Sequence, residues 1–280
     1  MSDSLMRAST ELSVLVPEVW SQKYYDVLLA ELPFNAVISK DWEGQIQGLG
    51  DTVNISQFPE FGDAVELAED QRNDAASITV TQLQLIINKR IAQDFIITNQ
   101  AMLQSLPAMQ KLQELAIYSI MKKIQALIIS LIVPSGSSPD HTLAYASGTT
   151  LALADALAAK ELLDAQDCPL SDRHFVVGSA QLNDLFNITG FMSSDFVLDQ
   201  GGLQSGRVPS QLLGFNPHFT SVVGNTSYWF HSSFFTMAAQ QGMSVSQYDL
   251  GVDGKRAQRI NCDSLLAMKQ LDNTRVVTIA

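Results

Sequence analysis

Between Pro107 and Ile132 the chain reads PAMQKLQELAIYSIMKKIQALIISLI, and no glycine or proline interrupts it after Pro107. Leu112, Leu115, Met121, Ile124, Ile128 and Leu131 recur at helical spacing around one broad face. Pro134-Ser135-Gly136 ends the run. At about 1.5 Å per residue, this predicts a rod of roughly 39 Å. Ile129 and Ile132 widen the stripe near the C-terminal end, which predicts burial on two sides there.

The segments around the rod carry different signals. Residues 1–16 are small, polar and poorly patterned, as expected of an extended arm. Pro17 opens a predicted helix to Leu32, with Trp20, Tyr24, Val27 and Leu28 on one face and Pro33 as its stop. Asp51 to Phe58 alternates like a strand, and Ser77 to Ile87 does so too. In the second run the apolar parity flips between Val80 and Leu83, which predicts a bulge near Thr81 and Gln82. The two strands can pair as a long hairpin whose tip, Pro59 to Ala76, is too long and polar for a tight turn. Beyond the rod, residues 134–150 read as a loop. Then come a predicted helix over 151–165, a short strand over 175–177, and a helix from about Ser179, as its N-cap, to Phe186. This helix-strand-helix run predicts an α/β layer distinct from hairpin and rod. A glycine-bearing loop follows over 189–210, and strand patterns close the chain at 228–237, 264–271 and 275–279.

Composition bounds the function. Hydrophobic residues make up 46% and charged residues 16% of 280, enough for a real core. The net charge of −12 argues against binding nucleic acid, which needs a basic face to displace counterions from phosphates. The most apolar stretch, Ile124 to Val133, is about half the length of a membrane span, and residues 1–10 hold no apolar run like a secretory signal. Cytoplasmic synthesis is the expectation. Cys168 and Cys262 are far apart and read as buried thiols.

Chemistry is not evident. His141, His174, His218 and His231 lack partners at metal-ligand spacing along the chain. Gly178-Ser179-Ala180 lacks the second glycine of a nucleophile elbow. Gly201, Gly202 and Gly206 do not have dinucleotide-binding spacing. Asp155 and Glu161 do not share a helix face. The expectation is no catalytic residue, no cofactor and no metal. One cluster does stand out. The hairpin tip holds Glu60, Asp63, Glu66, Glu69, Asp70 and Asp74 against Arg72 alone, six acids to one base. Such a tip is either a solvated loop or a contact for a basic patch on a neighbour, with Lys122, Lys123, Lys255, Arg256 and Arg259 as candidates.

The order of elements, with some local text, resembles the major capsid proteins of tailed bacteriophages that share the Hong Kong 97-type fold. Val16-Pro17-Glu18-Val19-Trp20, Lys40-Asp41-Trp42-Glu43-Gly44 and Gly50-Asp51-Thr52-Val53 are similar to the arm and hairpin approach of that family. Leu213-Gly214-Phe215-Asn216-Pro217 resembles its exit from the axial loop. The resemblance implies a mixed α+β capsid fold. Its parts would be an N-terminal arm and helix over 1–32, an E-loop over 51–87 and a P-domain over 33–50, 88–149 and 240–280. The spine helix would lie at about 107–132 and the A-domain over 150–239. It also implies an icosahedral head shell of pentamers and hexamers around the genome, with scaffolding, portal and decoration proteins as partners. Inter-subunit contacts would involve Trp20, Tyr24 and Leu28 of the arm, Glu66, Glu69 and Asp70 of the hairpin, and Lys255 and Arg256 opposite them. An encapsulin-type nanocompartment shares the fold and is one alternative; a soluble α/β hydrolase or binding protein is another. The arm starts close to Met1, so no fused scaffolding segment is expected ahead of it.

The namesake of this fold cross-links its subunits through an E-loop lysine, and here no lysine lies between Asp51 and Asn88. Shells of this protein are therefore expected to fall apart into single chains in denaturing gel electrophoresis. A ladder of covalent oligomers would refute this.

Overall fold

The computed structural model describes residues 29–43, 52–59, 77–98, 106–188, 211–250 and 257–280, with six single positions between 60 and 76. The chain divides into two units, Met1–Ala30 and Glu31–Ala280, and every element below belongs to the second. In chain order the elements are α1 (Phe34–Val37), β1 (Thr52–Gln57), β2 (Thr81–Ile86), β3 (Lys89–Thr98), α2 (Leu106–Leu131) and β4 (Thr142–Leu143). Then follow α3 (Leu153–Asp164), β5 (Arg173–Val177), α4 (Ser179–Asn187), β6 (Asn216–Phe219) and β7 (Ser227–His231). A 3-10 turn (Ser232–Phe234) leads into β8 (Phe235–Asp249), β9 (Ala257–Gln270) and β10 (Val276–Ile279). The fold is mixed α+β.

Helix α2 forms within one residue of the predicted bounds. Its buried line is Ala116, Ile120, Ile124 and Ile128, every fourth residue, while Leu112 and Leu131 are exposed. A strict four-residue step drifts slowly around a 3.6-residue helix, and so presents one long ridge to a sheet. That sheet has three strands in the order β3-β9-β8, all antiparallel. The ridge packs with Ile260, Cys262 and Leu266 of β9, and Ile91, Phe95 and Ile97 of β3 flank them. Ile129 and Ile132 are half-buried against this same core, whereas the sequence predicted burial on two sides.

A second sheet runs β4-β10-β7-β5-β6. Its strands alternate faces. Val176, Tyr228, Phe230 and Val276 join the α2 core, with Phe34 stacked on Phe230 at 5.5 Å between ring centroids. Phe175, Val177, Trp229, Val277 and Ile279 face the other way, onto Ala156, Ala159 and Leu163 of α3 and Leu185 of α4. Trp229, stacked on Phe175 at 4.4 Å, is the centre of this second core.

Several expectations change. Residues 29–32 carry no helix, and residues 17–28 lie outside the described residues. Pro33 does not end a helix; it is the N-cap of the one-turn α1, where its fixed φ suits a helix start. The parity flip before Leu83 marks where strand pairing begins, since β2 starts at Thr81 and pairs with β1 without a bulge from Thr52↔Ile86 to Gln57↔Thr81. Gly178, not Ser179, is the N-cap of α4, and no side chain caps that helix. The run expected over 228–237 is broken by the 3-10 turn into β7 and β8, which belong to different sheets. Strands β3 and β6 and most of β8 were not predicted. Strand β10, expected to go with 240–280, pairs with β7 and β4 in the five-stranded sheet.

The position of the ridge yields a test. Ile128→Ala should lower the unfolding free energy of the free chain by about 2–5 kcal/mol through lost burial and a cavity. Leu112→Ala should change it by less than about 0.5 kcal/mol, as exposed substitutions usually do. Denaturant titration of the two variants reads the difference, and equal losses would place the buried line elsewhere.

Candidate assembly surfaces

The β1–β2 hairpin has two distinct zones. At its root Val53, Ile55, Leu83 and Leu85 share one face, because Val53 pairs with Leu85 and Ile55 with Leu83. Leu85 is fully buried against Ala238 of β8 and Ala267 of β9, which are themselves cross-strand partners. Two methyl-sized side chains in register form a shallow seat on the sheet face opposite α2. Beyond the root the apolar side chains lose their cover. Phe58 is 73% and Phe61 74% exposed, and Ile78, Val80 and Leu67 are exposed as well. An array of this kind is what an interface uses and an isolated surface avoids.

The outward face of the three-stranded sheet is polar and internally bonded. Asp263 accepts from Arg90 Nη2 at 2.8 Å and from the Ser244 hydroxyl, linking all three strands. Farther along, Asp94 accepts from the Arg259 guanidinium and from the Asn261 amide. Ile96, Arg259 and Tyr248 then lie in one register row across the sheet. Ile96 and Tyr248 are exposed.

The residues expected at contacts are distributed as follows. Glu66 and Glu69 are exposed, as is Arg72 between the tip's other acids. Trp20, Tyr24, Leu28, Asp70, Lys255 and Arg256 lie outside the described residues. Lys122 and Lys123 are exposed on α2. Arg259, a further candidate for the acidic tip, is held by Asp94 of its own chain. Sequence reasoning missed the Asp94 and Asp263 hubs, because their partners are far apart along the chain and only the strand register brings them together. It also treated the histidines as solitary, yet His174 and His218 meet at 3.0 Å between Nδ1 and Nε2.

Among the described residues, two open clefts stand out. One of about 210 Å³ lies at the hairpin root between Trp42, Ile55, Leu83, Leu271 and Arg275. The other, of about 510 Å³, lies between the start of α3 and the end of α4. Among the described residues, no group of three or more His, Cys, Asp or Glu is placed to hold a metal ion. No described helix is long and apolar enough to cross a membrane.

The sequence profile of the phage capsid protein family matches residues 108–280, which take in most of α2, the five-stranded sheet, and β8 and β9 of the three-stranded sheet. The chain belongs to that family. Solved capsid structures share its fold over nearly its whole length. A chain from Mycobacterium phage Che8 is 20% identical and superposes with a TM-score of 0.74, covering 94% of this chain and 96% of its own. The capsid of cyanophage P-SCSP1u is 10% identical with a TM-score of 0.73, covering 96% and 93%. The mature capsid of bacteriophage PhiM1 is 13% identical with a TM-score of 0.69, covering 94% and 91%. No curated protein matches. The phage capsid protein is thus a structural shell protein, and the hydrolase reading of its α/β layer falls away. Its exposed apolar hairpin and polar sheet face are accordingly candidate surfaces for assembly.

Asp263 makes the polar face testable through pH. The Ser244 hydroxyl and the Arg90 guanidinium hold its carboxyl below the ordinary value of 3.8. A carboxyl with a lowered folded pKa contributes stability above its unfolded value, and loses it as pH falls through the folded one. Asp263→Asn should cost about 1–3 kcal/mol at pH 7, and the cost should shrink below pH 4. A cost that stays constant from pH 7 to pH 3 would mean that the charge does not matter.

Proposed function

We propose that this chain is the major shell subunit of a tailed-phage head of the Hong Kong 97-type fold, assembling as pentamers and hexamers around DNA. The observation that carries this reading is the hairpin, seated at its root and bare beyond it, with Phe58 and Phe61 more than two-thirds exposed. In a shell, such an arm is covered by the next copy. The assignment of 1–32 as arm, 51–87 as E-loop, 33–50, 88–149 and 240–280 as P-domain and 150–239 as A-domain follows. One amendment applies: the A-domain sheet takes in 142–143 and 276–279.

In this reading Trp20, Tyr24 and Leu28 clasp a neighbouring surface through their apolar stripe. The acidic tip, with Glu66, Glu69 and Asp70, faces Lys255 and Arg256 on a second copy. The net charge of −12 suits a wall that encloses DNA without binding it. Scaffolding, portal and decoration proteins are its expected partners, and assembly takes place in the host cytoplasm.

Assembly of purified chain against salt tests the reading. Glu66→Gln, Glu69→Gln and Asp70→Asn together should raise the threshold concentration by roughly two- to five-fold, the equivalent of about 0.4–1 kcal/mol per contact. They should also flatten its salt dependence. Trp20→Asp should leave soluble subunits or aggregates and few closed shells. Parent chain that forms no closed particles under electron microscopy would overturn the shell reading. Unchanged threshold and salt dependence in the triple variant would reduce the tip to a solvated loop.

A further inference from the structure

Among the described residues, strand β6 is the edge of the five-stranded sheet, with β5 as its partner. The two run parallel, with His174 opposite Asn216 and Val176 opposite His218. His174 and His218 therefore emerge on one face, on a diagonal between the strands. Their rings meet at 3.0 Å between Nδ1 and Nε2, with centroids 5.2 Å apart. The surroundings are mostly apolar, with the Phe230 ring 6.1 Å from His174. The charged or titratable groups facing the pair are Asp172 from the turn before β5, His231 of β7, and Glu31 from the segment before α1. Arg173 and Arg275 act on His231 behind them. Just after β6, the Thr220 hydroxyl donates to the Glu31 carbonyl at 2.7 Å and ties that segment to the same edge.

We propose that the His174–His218 pair is an acid-operated latch, in which proton uptake by both rings breaks the bond between them and frees β6 with the segment tied behind it. While both rings are neutral, a ring N–H donates to the other ring's bare nitrogen. A first proton leaves that geometry intact, because an imidazolium N–H still finds a lone pair. A second proton sets two N–H groups and two positive charges face to face, with no acceptor between them.

Burial resists both protons. It holds His174 down at about 4, with His218 adding to the effect. It lowers His218 as well, against an opposing pull from Glu31. A released strand meets no such penalty and takes up protons near 6.5. The closed form therefore binds fewer protons than the open form between about pH 6.5 and 4, and its stability falls as pH falls through that window. Because two protons are involved, the opening equilibrium moves by up to about a hundredfold per pH unit at its steepest, where one proton would give about tenfold. The latch operates within one chain and does not depend on the shell reading.

Hydrogen exchange of the full-length chain between pH 7.5 and pH 4, corrected for the intrinsic pH dependence of exchange, tests it. Amides of Asn216, His218 and Phe219 should lose more than tenfold in protection relative to those of 276–279 across the window. His174→Gln and His218→Gln should each flatten that profile. His218→Glu should carry protection to lower pH, because a carboxylate opposite His174 is favoured by the proton that opens the parent. Carbon-13 titration of the histidine rings gives an independent reading, with His174 of the parent still neutral at pH 5.5 and His218 titrating below its ordinary value of 6.5. The proposal fails if 216–219 keeps its protection down to pH 4, if His174→Gln follows the parent profile, or if both rings titrate near 6.5.

Discussion

The rest of the molecule hangs on the contact between the α2 ridge and the β3-β9-β8 sheet. Three isoleucines and an alanine, spaced by four, remove one line of a 26-residue helix from water. At about 1.5–3 kcal/mol for each large side chain fully buried, the ridge is among the larger single terms in the fold. It also fixes geometry. The core it enters includes Phe34 of α1, Phe230 of β7 and Val276 of β10, so one helix sets the position of both sheets.

The division of labour between sheet faces follows from that contact. Because side chains alternate along a strand, the face of the three-stranded sheet turned from α2 is free to be something else. Near the end where β8 begins and β9 finishes it offers the paired alanines on which the hairpin root sits. Toward its far end it carries the Asp263 and Asp94 hubs, whose bonds cross between strands and oppose any slip of register. The same sheet thereby anchors the rod on one side and aims the hairpin from the other.

The rod, the paired hairpin, the α3-β5-α4 run and the closing strand could be read directly, because each carries its period in a local window. What escaped were elements whose logic is tertiary. Strand β3 was hidden because its outward positions mix Arg90, Ala92 and Asp94 with Ile96, and so show no clean alternation. The exposed end of β8, from Gln241 to Asp249, has the same defect. The break at Ser232–Phe234 was invisible because Phe230, Phe234 and Phe235 all serve one core and read as a continuous apolar strand. The candidate surfaces were legible only as charge: the acidic tip could be found by counting, whereas the Asp263 hub and the histidine pair need partners at least 19 residues apart in sequence.

The order β4-β10-β7-β5-β6 carries a consequence for synthesis. Among the described residues, strand β4 pairs with β10 alone, and β10 comes from residues 276–279, more than 130 positions later. During translation, residues 142–143 leave the ribosome with nothing to pair with, and β7 waits with one side open. The five-stranded sheet closes only when β10 emerges. The second core, which draws Val277 and Ile279 from that strand, stays incomplete until then. This topology couples completion of the second core to synthesis of residues 276–279, at the cost of slow, non-local strand pairing.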